Sequence, residues 1–83
     1  ARPYRQAFER GVKLIGATAH FVTGNLDEGP IITQQTISID RTYTVDEMVK
    51  AGLEVEKAVL NKAIILISSD KVFTNGNKTI VFE

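Results

Sequence analysis

The chain has 83 residues, which suit one domain or part of one, and 43% of them are hydrophobic, an ordinary globular proportion. Ten basic and ten acidic side chains cancel, which argues against nucleic acid or an anionic membrane as a partner, and the longest apolar run is far too short to span a bilayer. The absence of cysteine argues against disulfides and predicts a cytoplasmic protein. Together with the single histidine, it also argues against a zinc site.

The first predicted elements are a short helix and a strand. Pro3 suits the first turn of the helix, and Gly11 suits the position just after its end. The strand covers residues 14–22, and its alternation predicts two different faces. One face carries Ile15, Ala17, Ala19 and Phe21, and the other carries Gly16, Thr18, His20 and Val22.

A loop and a second strand follow. Residues 23–29 contain turn-forming glycine, asparagine and aspartate, and Pro30 closes the loop. The second strand is predicted at residues 31–39. Uninterrupted alternation places Ile31, Ile37 and Ile39 on one face and Gln34, Thr36 and Ser38 on the other.

A long helix and a hairpin complete the predicted fold. Thr44 and Glu47 have the spacing of a capping box, so the helix is expected from about residue 45 to about residue 69. Its apolar end, residues 64–67, is expected to be deeply packed. A hairpin is predicted at residues 71–82, with Asn75-Gly76 as its two-residue turn. The class is therefore α+β, with two long strands, one long helix and a terminal β-hairpin.

His20 and Asp27 are the candidate site residues. Alone, His20 is typical of a half-buried packing histidine, and Asp27 is typical of a turn or a helix cap. A histidine near a strand end followed by a short loop with a carboxylate is also how many α/β active sites are built. From the residues alone, both interpretations stay open.

Three stretches carry a resemblance to a known family. They are PYRQAFERGVKLIGATAHFVT at residues 3–23, LDEGPII at residues 26–32 with Gln34, and VFTNGNKTIVF at residues 72–82. The whole chain resembles the C-terminal part of the formyltetrahydrofolate deformylases, a branch of the folate-dependent formyltransferase family. Residues 1–83 then correspond to the C-terminal portion of a formyltransferase-like catalytic domain. The upstream half of that domain and an N-terminal regulatory domain are absent from this sequence.

The resemblance implies hydrolysis of 10-formyltetrahydrofolate to tetrahydrofolate and formate in one-carbon and purine metabolism. The family's catalytic aspartate matches Asp27, and His20 matches a supporting histidine. Folate-binding backbone matches the stretch that contains Thr23, Gly24, Asn25 and Leu26. Folate is then the substrate, with no prosthetic group. The family's principal catalytic asparagine and histidine lie upstream of residue 1, so this segment alone is expected to be inactive.

Two other functions stay open at this point. One is formyl transfer to an amine acceptor such as glycinamide ribonucleotide, and the other is a non-catalytic module that associates with itself. The strand at residues 14–22 would pair with a parallel sheet in the family, so its edge and apolar face need a cover. We therefore expect a dimer or higher oligomer.

Overall fold

A computed structural model describes residues 2–22 and 29–83, and it confirms the predicted α+β class. Strand β1 pairs with β2, and β3 pairs with β4, both antiparallel. The long helix packs across β1 and β2, and the hairpin lies beside β2. The elements in chain order are α1 (Arg2–Glu9), β1 (Leu14–His20), β2 (Ile31–Ser38), α2 (Val45–Ser68), β3 (Val72–Asn75) and β4 (Lys78–Val81).

Helix α2 organises the core with one of its faces. The predicted capping box is confirmed: the Glu47 N–H donates to the Thr44 hydroxyl at 3.1 Å, and the Thr44 N–H donates to the Glu47 carboxylate at 2.9 Å. Spacings of three and four residues place all buried positions of α2 on one face. These positions are Met48, Gly52, Val55, Val59, Ala63 and Leu66.

No helix in residues 2–22 and 29–83 is long and apolar enough to cross a membrane.

The expectation of a deeply packed end of α2 is wrong. Leu66 is buried there, but Ile64, Ile65 and Ile67 are 56%, 53% and 44% exposed. The physical reason is that the two-stranded sheet and the hairpin cover only one side of the helix. An apolar run without helical periodicity then necessarily turns some of its side chains away from the core.

The predicted faces of β1 are confirmed, but the face assigned to Ile31 in β2 is wrong. Ala19 pairs with Thr33 while His20 pairs with Ile31, so Ile32 is an extra residue in a β-bulge. The bulge reverses the alternation of side chains at this point. Ile32 is 7% exposed in the core, and Ile31 is 45% exposed on the open face of the sheet.

The terminal hairpin packs against the sheet and the helix. Its turn is Gly76-Asn77, because Asn75 pairs with Lys78, so the predicted Asn75-Gly76 turn is wrong by one residue. The φ of Gly76 is +63°, as the first central position of a type II′ turn requires. Val72 and Val81 face inward and pack against the cluster of Ile32, Ala63 and Leu66.

Helix α1 docks on α2 through Tyr4. A Cβ atom added at Gly52 would lie 2.0 Å from the Tyr4 hydroxyl oxygen, so glycine is what allows the aromatic ring to lie against the helix. The hydroxyl donates to the Glu56 carboxylate at 3.4 Å. Partial burial, and then the neighbouring Glu56 carboxylate, raise the pKa of the Tyr4 hydroxyl above its ordinary value.

This contact predicts that the effect of Gly52→Ala on stability depends on the residue at position 4. With Tyr4 present, the added methyl displaces the far end of the Tyr4 side chain, and the loss of that contact offsets part of the gain in helix propensity. In a Tyr4→Ala background the same substitution should stabilise by up to about 1 kcal/mol, because alanine is the better helix former. Chemical denaturation of the four variants measures this coupling. Equal stabilisation by Gly52→Ala in both backgrounds would contradict the contact.

Candidate functional site

A groove opens on the uncovered face of the β1–β2 sheet, at the end where the bulge lies. It has a volume of about 460 Å³ and is lined by Thr18, His20, Gly29, Ile31 and Gln34. The even-numbered residues of β1 reach this face because α2 covers the other one. Ile31 reaches it because of the bulge. The groove therefore has polar side chains and one apolar wall.

The imidazole of His20 is held by the backbone that follows it. Its Nδ1 lies 3.1 Å from the carbonyl oxygen of Phe21, and a carbonyl can only accept, so Nδ1 carries the proton and donates. In the neutral ring, Nε2 then has its lone pair free. His20 is half-buried and is the one ionisable side chain among the described residues that line the groove. It can accept a hydrogen bond from a bound group, or donate one when it is protonated.

Thr18 and Gln34 form the opposite end of the groove. They are directly paired across the two strands, and the Gln34 amide Nε2 donates to the Thr18 hydroxyl at 3.0 Å. This hydrogen bond leaves the amide oxygen of Gln34 as an acceptor and the hydroxyl proton of Thr18 as a donor. Together with His20, the groove offers both kinds of partner to a polar ligand.

Two hydrogen bonds hold the two sides of the chain together beyond the strand ends. The Phe21 N–H donates to the Pro30 carbonyl at 2.9 Å, and the Gly29 N–H donates to the Phe21 carbonyl at 2.7 Å. Pro30 has no N–H to give, so Gly29 supplies the donor. Gly29 is therefore held against Phe21 at the edge of the groove.

Of the predicted site residues, the structure places His20 at the groove. Asp27 and the predicted folate-binding residues Thr23, Gly24, Asn25 and Leu26 lie outside the described residues, so their roles stay predictions. Among residues 2–22 and 29–83, no three histidine or acidic side chains come together as metal ligands.

Sequence reasoning missed Ile31 as a lining residue and did not assign Gln34 a role in the site. The signal for Gln34 was present, because it shares a face with His20 in the alternation and stands in a family-like stretch. Ile31 also stands in a family-like stretch, but alternation assigns it to the core.

Most of the chain matches a known protein family. Residues 1–64, about three quarters of the chain, match the family model described as formyl transferase. The chain belongs to the formyl transferase family.

Two curated relatives are formyltetrahydrofolate deformylases. The chain is 58% identical over 81 residues to the formyltetrahydrofolate deformylase of Escherichia coli K12, covering 98% of this chain and 29% of that protein. It is 56% identical over 82 residues to the formyltetrahydrofolate deformylase of Mycobacterium tuberculosis H37Rv, covering 99% of this chain and 26% of that protein. The chain thus spans less than a third of the length of these relatives.

Two solved structures of related proteins superpose on the chain. The crystal structure of formyltetrahydrofolate deformylase from Burkholderia mallei superposes with a TM-score of 0.94 at 49% identity, covering 100% of this chain and 30% of that chain. Glycinamide ribonucleotide transformylase 1 from Symbiobacterium toebii gives a TM-score of 0.76 at 35% identity, covering 96% and 38%. The shared family membership and the likeness to deformylases confirm the resemblance inferred from the sequence.

The geometry of His20 predicts an unusual tautomer. Because the Phe21 carbonyl accepts from Nδ1, the neutral ring should carry its proton on Nδ1 and leave Nε2 unprotonated. Nitrogen-15 NMR at a pH where the ring is neutral distinguishes the two nitrogens directly, with His20→Gln used to assign the signals. A neutral ring protonated on Nε2 would show that the contact with Phe21 is absent in solution.

Proposed function

We propose that the protein containing this chain hydrolyses 10-formyltetrahydrofolate to tetrahydrofolate and formate. The observation that carries the proposal is the superposition of the whole chain on a formyltetrahydrofolate deformylase at 49% identity. Relatives named as deformylases reach 58% identity over 98% of the chain. In this proposal the chain is the C-terminal portion of the catalytic domain, in keeping with the family-like ending at residues 72–82.

The proposed chemistry uses water as the acceptor of the formyl group. Water attacks the formyl carbon, the bond from that carbon to the folate nitrogen breaks, and the nitrogen takes a proton as formate leaves. Such a reaction needs a base for the water and a hydrogen-bond donor for the developing oxyanion. We assign the base to Asp27, which precedes the groove residue Gly29 by two positions in the sequence.

Asp27 needs partners to act as this base. An aspartate has an ordinary pKa of about 3.9 and is a weak base at neutral pH until burial and a neighbour shift it. We assign His20 a supporting role, in which the protonated ring donates from Nε2 and orients the formyl oxygen or the aspartate. Residues 23–26 are proposed to contact the pterin ring, and the upstream part of the protein is proposed to supply the principal asparagine and histidine of the family.

Formyl transfer to glycinamide ribonucleotide is the second candidate. It is supported by the superposition on the Symbiobacterium transformylase, with a TM-score of 0.76. The deformylase superposition is closer and covers the entire chain, so hydrolysis is preferred. No prosthetic group is proposed, since folate is the substrate in both reactions. A cytoplasmic location stays a prediction from composition.

We also propose that the surface of this chain is partly covered by self-association. The chain exposes 6407 Å², against about 4,900 Å² expected for a compact monomer of its mass. Its radius of gyration is 14.8 Å, against about 12 Å for a compact domain of this length. The exposed apolar side chains on one flank of α2 are Leu53, Leu60, Ile64 and Ile67.

Asp27→Asn in the full-length protein should abolish most hydrolysis, since it keeps the size of the side chain and removes the base. The expected loss of turnover is on the order of 10²-fold or more. His20→Ala should cost less than Asp27→Asn, because a supporting group contributes less than the base. The tetrahydrofolate and the formate formed from 10-formyltetrahydrofolate are both measured with and without glycinamide ribonucleotide, beside the melting temperature of each variant.

Each outcome of that experiment has a distinct meaning. Near-normal turnover in Asp27→Asn would remove Asp27 from the mechanism. A lower melting temperature with unchanged turnover in His20→Ala would make His20 a packing residue. Tetrahydrofolate formation that requires glycinamide ribonucleotide and releases no formate would replace hydrolysis by formyl transfer as the function.

Self-association of the 83-residue chain should be visible by light scattering at tens of micromolar, as the mass of a dimer or larger species. Leu60→Lys should lower that mass, because it places a charge in the apolar flank of α2. Glu54→Lys, on the charged side of the same helix, is the matched control and should leave it unchanged. A monomeric mass for the unaltered chain would contradict the proposal.

A further inference from the structure

A side-chain hydrogen bond joins the terminal hairpin to the sheet at the bulge. The hydroxyl of Thr79 in β4 donates to the carbonyl oxygen of Ile31 at the start of β2. The two residues are 48 positions apart in the sequence. This contact joins the hairpin to the strand end that lines the groove.

The direction of the Ile31 carbonyl follows from the pairing of the strands. Phe21 and Pro30, which continue β1 and precede β2, are joined by a backbone hydrogen bond, so the neighbouring pair, His20 and Ile31, is a non-hydrogen-bonded pair. The backbone groups of Ile31 therefore point away from β1, toward the hairpin. In such a pair the side chains also lie closest together, so a movement of Ile31 displaces the His20 side chain directly.

The hairpin itself is fixed to α2 by contacts that do not involve the groove. The Lys71 N–H donates to the Leu66 carbonyl at 2.9 Å, and Lys62 and Glu83 form an ion pair at 2.8 Å. Val72 and Val81 pack on the core cluster. Thr79 therefore lies on a hairpin that is anchored to α2, and its hydroxyl holds the Ile31 carbonyl beside the β-bulge.

We propose that Thr79 is a positioning residue for the groove, which it serves by fixing the Ile31 backbone opposite His20. Its effect on turnover rests on the proposed hydrolase function, whereas its effect on the His20 environment does not. Without the hydroxyl, the carbonyl loses its partner and the strand end is free to shift. Displacements of about 1 Å are enough to slow positioned chemistry substantially.

The test uses four variants of the full-length protein. Thr79→Val and Thr79→Ala remove the hydroxyl, and Thr79→Ser restores it. Thr74→Val is the matched control, since Thr74 is the exposed cross-strand partner of Thr79 in the same hairpin. Steady-state kinetics with 10-formyltetrahydrofolate are combined with the melting temperature and with the NMR shift of the His20 Cε1 proton at fixed pH.

We expect Thr79→Val and Thr79→Ala to lower kcat by about 3- to 10-fold with little change in KM, as for an interaction used in the transition state. The His20 signal should shift in both, and Thr79→Ser should recover both readouts. Thr74→Val should match the unaltered protein. An unchanged His20 signal and kcat in the two variants without the hydroxyl, or failure of serine to restore them, would overturn the proposal. If the unaltered protein does not hydrolyse the substrate, the proposed function fails, and the NMR shift alone decides the role of Thr79.

Discussion

The extra residue at Ile32 is the constraint on which both faces of the sheet depend. If β2 alternated without interruption, Ile32 would lie on the open face with Gln34, and Ile31 would lie in the core. The bulge instead buries Ile32 against Ala63 and Leu66 and leaves Ile31 beside His20. Bulges commonly re-aim side chains next to functional sites, and here a single inserted residue supplies both a core contact and a groove wall.

The Phe21 carbonyl links the His20 ring to the backbone of Gly29. The Phe21 carbonyl accepts from the Gly29 N–H at 2.7 Å and lies 3.1 Å from Nδ1 of His20, so its two lone pairs serve two donors. A change at Gly29 would therefore reach the imidazole through one oxygen atom. Pro30 reinforces the arrangement, because it cannot compete for that carbonyl.

Local signals in the sequence were enough for much of the fold. The Thr44 capping box, the alternation in β1 and the turn glycine of the hairpin each depend on neighbours a few residues away, and each identified its element. The bulge at Ile32 and the one-residue shift of the hairpin turn depend on packing against distant residues. The expectation that the end of α2 is deeply packed was wrong for a related reason. Composition shows how apolar a helix is, but not how much surface is available to cover it.

In the candidate site, too, residues with a local sequence signal could be predicted, and a residue that acts through a long-range contact could not. His20 could be predicted because alternation places it on the polar face near a strand end, and family resemblance pointed to Asp27. Thr79 could not be predicted, because a threonine in a hairpin is ordinary and its partner is a backbone carbonyl that carries no sequence signal. Long-range contacts to backbone atoms are in general invisible to pattern reasoning.

The 48-position separation between Ile31 and Thr79 has a consequence for biosynthesis. A ribosome that adds 5–20 residues per second needs about 2–10 s to make the intervening chain. During that interval the outer edge of β2 has no hairpin beside it, and Ile32 lacks the valines that cover it. The nascent chain thus presents an unpaired strand edge for seconds before the hairpin emerges.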